Sequence, residues 1–315
     1  MNKISELSGY TKIRNTLYSE AAIGISGNSF LLLFHIFMFI HGQRPRLTDP
    51  LIRLLSLIHI LMLLVMSLVA TDIFMLWKRW DDTTCKFVFF LYRLLRSLSL
   101  CATSMLSILQ AITLSPRSSC LAKFKHKSPY HMLGYLLFLS IFFSSISSPL
   151  LTYITAAPNL TLPTFTYITQ SCCLLPMSYS VRYTFFILLT SRDAIFVVFM
   201  VLASVYMVTF LRRHKKQSQL LHSASLSLKP FAEQRATQSI LWLMSFFVVM
   251  YTVDSVISYL RSTDDGLTLH CVHILTAHGY ATVSPFLVLS TEKHIIYIFR
   301  SLFGRMVNVI LLWDG

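Results

Sequence analysis

Charged side chains are scarce in this 315-residue chain, at 13% of its residues, where a soluble domain carries about 25%. That shortage excludes a water-soluble globule. Glycine and proline are also few, 9 and 10. Helices are therefore free to run long, and no internal repeat is found, which speaks against a transporter built of paired, Gly/Pro-broken halves. Also missing are a Gly-rich phosphate loop, a serine nucleophile elbow, a paired-carboxylate arrangement and any Cys/His spacing suited to a metal. Neither catalysis nor a cofactor nor a metal is expected. Acidic residues number 13 against 27 Lys and Arg. In so apolar a chain the resulting net charge of +14 points to loops that meet anionic lipid, with no nucleic acid partner expected.

What is abundant is apolar length. Hydrophobic residues make up 55% of the chain and the mean hydropathy is +0.63. Seven segments are long enough to cross a bilayer, which takes about 20 residues. They run over 21–40, 54–76, 87–114, 131–153, 185–211, 239–260 and 269–289. The third contains Arg93 and Arg96, but without it the basic loops on its two sides would face opposite compartments. Alternate loops divide the Lys and Arg residues sixteen against eight, the richer set including Arg117, Arg212, Arg213, Lys215, Lys216 and Arg235. By the positive-inside rule the expected fold is an all-α membrane protein, a seven-transmembrane helix bundle with the N-terminus outside and the C-terminus cytoplasmic. The whole of 1–315 reads as one domain, ending in a cytoplasmic tail over 290–315 whose first part, 291–305, has the pattern of an amphipathic surface helix. The first twenty residues lack the apolar core of a cleaved signal peptide, so the first span is expected to start insertion itself.

Covalent chemistry agrees with that sidedness. Asn159-Leu160-Thr161 is a glycosylation acceptor in the loop between the fourth and fifth spans, on the expected outside. Cys85 at the outer mouth of the third span shares that oxidising side with Cys172 and Cys173, so a bridge from Cys85 to either one is open.

Ionisable groups inside the spans are costly and therefore mark function or pairing. Arg93 and Arg96 are i and i+3 on one face of the third span, about 12 and 16 Å below Cys85. The fifth span carries Arg192 and Asp193, and the sixth carries Asp254 near its outer end. Two readings stand side by side: the floor of an outward-facing ligand pocket, or interhelical salt bridges such as Arg96 with Asp254. Tyr92, Tyr251 and Tyr280 sit high enough to line a pocket, and His278 is a further ligand candidate. Asp72, near the outer end of the second span, is expected to be solvated. Asn28 is expected to hydrogen-bond neighbouring helices, and Pro285 frees a backbone carbonyl in the seventh span.

Several stretches taken together carry a resemblance. GNSFLLLFHIF (27–37), HGQRPRLTDPLI (41–52), SILQAITLSPR (107–117), CCLLPMSY (172–179), SRD (191–193), RRHKKQSQLLHSASLS (212–227), QRATQSILWLMSFFVVMY (234–251) and HGYATVSPFLVL (278–289) follow one another as in the vomeronasal type-1 receptors. The chain resembles that family of pheromone-sensing G-protein-coupled receptors over nearly its whole length. The resemblance implies a disulfide from Cys85 to Cys172, which stands four before Pro176, and glycosylation at Asn159. A small volatile or steroid-like ligand is then expected between the third, fifth, sixth and seventh spans, with Arg93, Arg96, Arg192, Asp193, Tyr251, Asp254 and His278 as the candidate contacts. The resemblance also implies an inhibitory-class heterotrimeric G protein as partner, and the plasma membrane of vomeronasal sensory neurons as location. A bitter-taste receptor shares the bundle, but its span motifs do not match these stretches.

Overall fold

The computed structural model describes residues 2–41, 48–74, 79–115, 148–158, 166–221, 229–261 and 267–290, with a few separate positions between 134 and 145. Six long helices account for most of them. They are α1 (Asn2–Ile40), α2 (Asp49–Phe74), α3 (Asp82–Leu114), α4 (Tyr179–Leu221), α5 (Lys229–Arg261) and α6 (Leu267–Leu289). Each contains a stretch long and apolar enough to cross a membrane, and they carry the predicted first, second, third, fifth, sixth and seventh spans. The predicted fourth span lies mostly outside the described residues; positions 134, 138, 139, 141, 142 and 145 within it are helical, and Ser148–Tyr153 forms a 3-10 helix.

Two features depart from the expectation. First, α1 begins near residue 2 although the apolar run begins near 21, because the polar lead-in continues the same hydrogen-bonded ladder once the span has nucleated it. Second, the bundle is not wholly helical. A three-stranded antiparallel sheet, β1 (Ile154–Ala156), β2 (Thr166–Tyr167) and β3 (Cys172–Leu174), lies in the loop before α4, with β3 in the middle. Ile154 pairs with Leu174 and Ala156 with Cys172.

Large apolar side chains on α1, α2, α4 and α5, among them Phe30, Leu33, Leu68, Leu202 and Trp242, are exposed. A lipid solvent explains them, since an apolar face needs no cover there. The buried residues of α3 include Ser97, Ser99, Cys101, Ala102, Thr103, Ser104 and Ser107; small side chains let this central helix approach α2, α4 and α5 closely. The same device brings α1 against α2 and α6. A Cβ on Gly24 would stand 2.6 Å from Leu63 Cδ1 and 3.1 Å from the Thr282 Cα.

The α1–α6 contact is also a polar one. Pro285 has no N–H, so the Ala281 carbonyl one turn earlier has lost its helical donor. Asn28 supplies one: its Nδ2 donates to Ala281 O at 2.8 Å and to Gly24 O at 2.8 Å. Asn28→Ala is expected to leave that buried carbonyl only the long contact from Ser284 Oγ at 3.4 Å and to destabilise the bundle by about 1–3 kcal/mol, read as a lower melting temperature of the purified protein. His59 similarly ties three helices. Its Nε2 meets Ser99 Oγ on α3 and its Nδ1 meets Ser284 Oγ on α6, both at 3.0 Å, so each ring nitrogen has a hydroxyl able to take the complementary role.

Candidate ligand cavity

Four helices bring the intramembrane charges together. Tyr92, Arg93 and Arg96 come from α3, Arg192 and Asp193 from α4, Tyr251 and Asp254 from α5, and His273 from α6, around a cavity of about 180 Å³. A smaller space of about 30 Å³ continues from it toward Phe247 and Tyr280, sharing Arg96, Tyr251 and Asp254 as its border.

The two readings of these charges coexist in the geometry. Arg96 Nη2 is hydrogen-bonded to Asp254 Oδ2, crossing from α3 to α5, and Asp254 Oδ1 lies 3.5 Å from His273 Nε2. Within α4, Arg192 Nε donates to Asp193 Oδ1 at 2.6 Å. Asp254 is 3% exposed and Asp193 6%; buried carboxylates at such depth require partners, and both have one. The pairing therefore fixes the side chains that form the cavity wall.

His278 lies off this wall. It is buried in the core, its Nδ1 against Ile274 O at 2.8 Å and its ring 5.6 Å from that of Tyr92. His273 reaches the cavity instead and was not singled out from the sequence. The signal for it was present: counting back from Tyr280 by three and then four gives Ala277 and His273, one helical face, while His278 belongs to another.

The sheet is strapped across the end of the bundle where α2 stops and α3 starts. Cys85 and Cys172 are joined by a disulfide with Cα atoms 5.8 Å apart. Asp72 is 4% exposed rather than solvated; its Oδ2 accepts from Ser171 N at 3.0 Å and its Oδ1 from Ser171 Oγ at 2.5 Å. Gln170 Nε2 donates to Ile73 O at 2.9 Å, and Ala156 N donates to Asp82 Oδ1 at 3.3 Å. A carboxylate at the end of a span is buried here because the strap delivers donors to it, a partner 99 residues away in sequence.

Cys173 is the free neighbour of the bridge. Burial, reinforced by the Asp82 carboxylate, pushes its thiol up from the ordinary value, so little attacking thiolate forms near neutral pH and exchange with the adjacent disulfide is suppressed. Alkylation of Cys173 is accordingly expected to be slow at pH 7 and to accelerate only as pH rises above the usual thiol range, measured by mass spectrometry of the intact protein. Equal rates for Cys173 and a free model thiol at pH 7 would refute this.

The residues expected on a G protein are less fully described. Arg212 and Arg213 are exposed near the end of α4. Lys215 and Lys216 continue that helix and Arg235 lies on α5, as backbone positions only, while Arg117, Asn159 and the tail over 291–315 lie outside the described residues.

Several membrane-competent helices, a charged cavity among them and a disulfide-held strap define a multi-pass helical membrane protein. Comparison with known proteins makes this specific. The chain belongs to the vomeronasal organ pheromone receptor family, whose sequence profile matches residues 11–301. It is 71% identical over 312 residues to vomeronasal type-1 receptor 54 of Mus musculus, covering 99% of each chain. It is 57% identical over 301 residues to vomeronasal type-1 receptor 48 of the same species, covering 95% of this chain and all of the relative. Vomeronasal type-1 receptor 94 of Rattus norvegicus is 54% identical over 310 residues, covering 98% and 95% respectively. The family is one of receptors rather than enzymes.

Proposed function

We propose that the chain is a pheromone receptor of the plasma membrane, a single receptor domain over 1–315, that binds a small chemosensory ligand in the charged cavity and activates an inhibitory-class heterotrimeric G protein. The observation that carries this reading is the cavity itself, lined by helices α3 to α6 and about 180 Å³ in volume. An engineered cavity of about 150 Å³ takes benzene, so a small volatile body fits this space. In this reading the strapped end faces outward, with Asn159 glycosylated there, and the basic residues Arg117, Arg212, Arg213, Lys215, Lys216 and Arg235 face the cytosol. Ligand binding would shift a pre-existing equilibrium and move the inner ends of α4 and α5, exposing a face for the G protein.

The experiment is nucleotide exchange on purified inhibitory-class heterotrimer, with the receptor in nanodiscs and a panel of volatiles as agonists. Exchange should rise with agonist. It should fall at least roughly tenfold in the quadruple variant Arg212→Ala, Arg213→Ala, Lys215→Ala, Lys216→Ala, as a face that binds through several charges loses them together. Unchanged exchange in that variant would remove the basic block from the G-protein face. Agonist binding without exchange on this G-protein class would remove the coupling.

A further inference from the structure

The cavity wall is not electrically balanced. It presents three guanidinium groups, Arg93, Arg96 and Arg192, and two carboxylates, Asp193 and Asp254. Arg96 is paired with Asp254 and Arg192 with Asp193. Arg93 has no ion pair or hydrogen bond among the described residues; it feels the like charges of Arg96 and Arg192, and the one carboxylate within its electrostatic reach, Asp193, is already engaged by Arg192. An unpaired cation inside a bundle is the expensive member of such a set. His273 adds no negative charge, and its nearest carboxylate, Asp254, is already engaged by Arg96.

We infer that the cavity takes a small organic monoanion, a carboxylate on a body of about one ring, with its head on Arg93. The surplus is one charge, which suits a monoanion and disfavours a phosphate monoester carrying close to two. A planar guanidinium presents parallel donors that match the two oxygens of a carboxylate. The body then lies against Phe186, Leu189 and Tyr251, which line the same space. The adjoining 30 Å³ has room for about one water and not for a second ring.

The inference deepens the receptor reading for this same cavity and rests on it only for signalling. Its test therefore separates binding from exchange. Purified receptor in nanodiscs is titrated with phenylacetate and heptanoate, and with the neutral phenylacetamide and heptanamide, following both thermal stabilisation and nucleotide exchange. On the unaltered chain each acid should bind at least roughly tenfold more tightly than its amide, the expected effect of a charge-assisted hydrogen bond. Arg93→Gln should bring the acids down to the level of the amides, and Arg93→Lys should retain part of the preference. Acids that bind no better than amides, acids that do not bind, or an Arg93→Gln that weakens acids and amides alike would each overturn the proposal. Exchange evoked by amides alone leaves the receptor standing and sinks the anion; stabilisation by acids with no exchange does the reverse.

Discussion

Asp254→Ala is expected to be the most damaging single substitution in the bundle, destabilising it by about 3–5 kcal/mol and abolishing surface expression. Removing one partner of a buried ion pair leaves the other charge uncompensated, and that penalty is larger than the pair's own contribution. Here the residue left behind would be Arg96, whose side chain is 20% exposed and which already has Arg93 one turn away. Three cations would then face Asp193 alone. The physical cause predicts a rescue: Arg96→Met combined with Asp254→Leu removes both charges and should recover most of the stability, since apolar pairs of similar volume replace buried ion pairs at little cost. Surface immunolabelling and melting temperature of the two variants check this. If the double variant is as unstable as Asp254→Ala, the cause is lost packing rather than an orphaned charge.

Loss of the disulfide is the second large effect. The bridge closes a separation of 87 residues, and for a freely unfolding chain such a loop is worth between about 4 and 5 kcal/mol. In a membrane the spans remain inserted when the bundle loosens, so the reference state is already restricted and about 2–3 kcal/mol is the better expectation. Cys172→Ser should lower the melting temperature and release the strap, whereas Cys173→Ser should leave both nearly unchanged. The remaining ties from Asp72, Gln170 and Asp82 to the strap predict that Cys172→Ser and Asp72→Ala together are worse than the sum of the two. Each alone leaves the strap held by the other. Additivity of the two would mean that the disulfide and the carboxylate hold the strap independently.

The sequence reading reached what depends on length and period. An apolar run of about 20 residues has few alternatives to a helix, so the six described spans were legible. Arg93 and Arg96 could be placed on one face by the helical period alone, and Asp254 by its depth. Groups whose environment is made by distant chain were not legible. Asp72 reads as a solvated residue at a helix end because nothing near it in sequence offers donors; Ser171 does so from 99 residues further along the chain. The strands are two or three residues long, too short for alternation to register. His273 was passed over in favour of His278 because both are histidines of one helix and only the facing decides between them.

The most direct test of the central claim, that ligand occupies the cavity among α3, α4, α5 and α6, is agonist protection of Ser258→Cys, a position on the cavity wall. The rate of alkylation at that residue is read by mass spectrometry with and without saturating agonist. The account predicts at least roughly tenfold protection, as expected when bound ligand excludes the reagent from most molecules. An unchanged rate, with the same agonist still driving nucleotide exchange, would place the ligand elsewhere and contradict it.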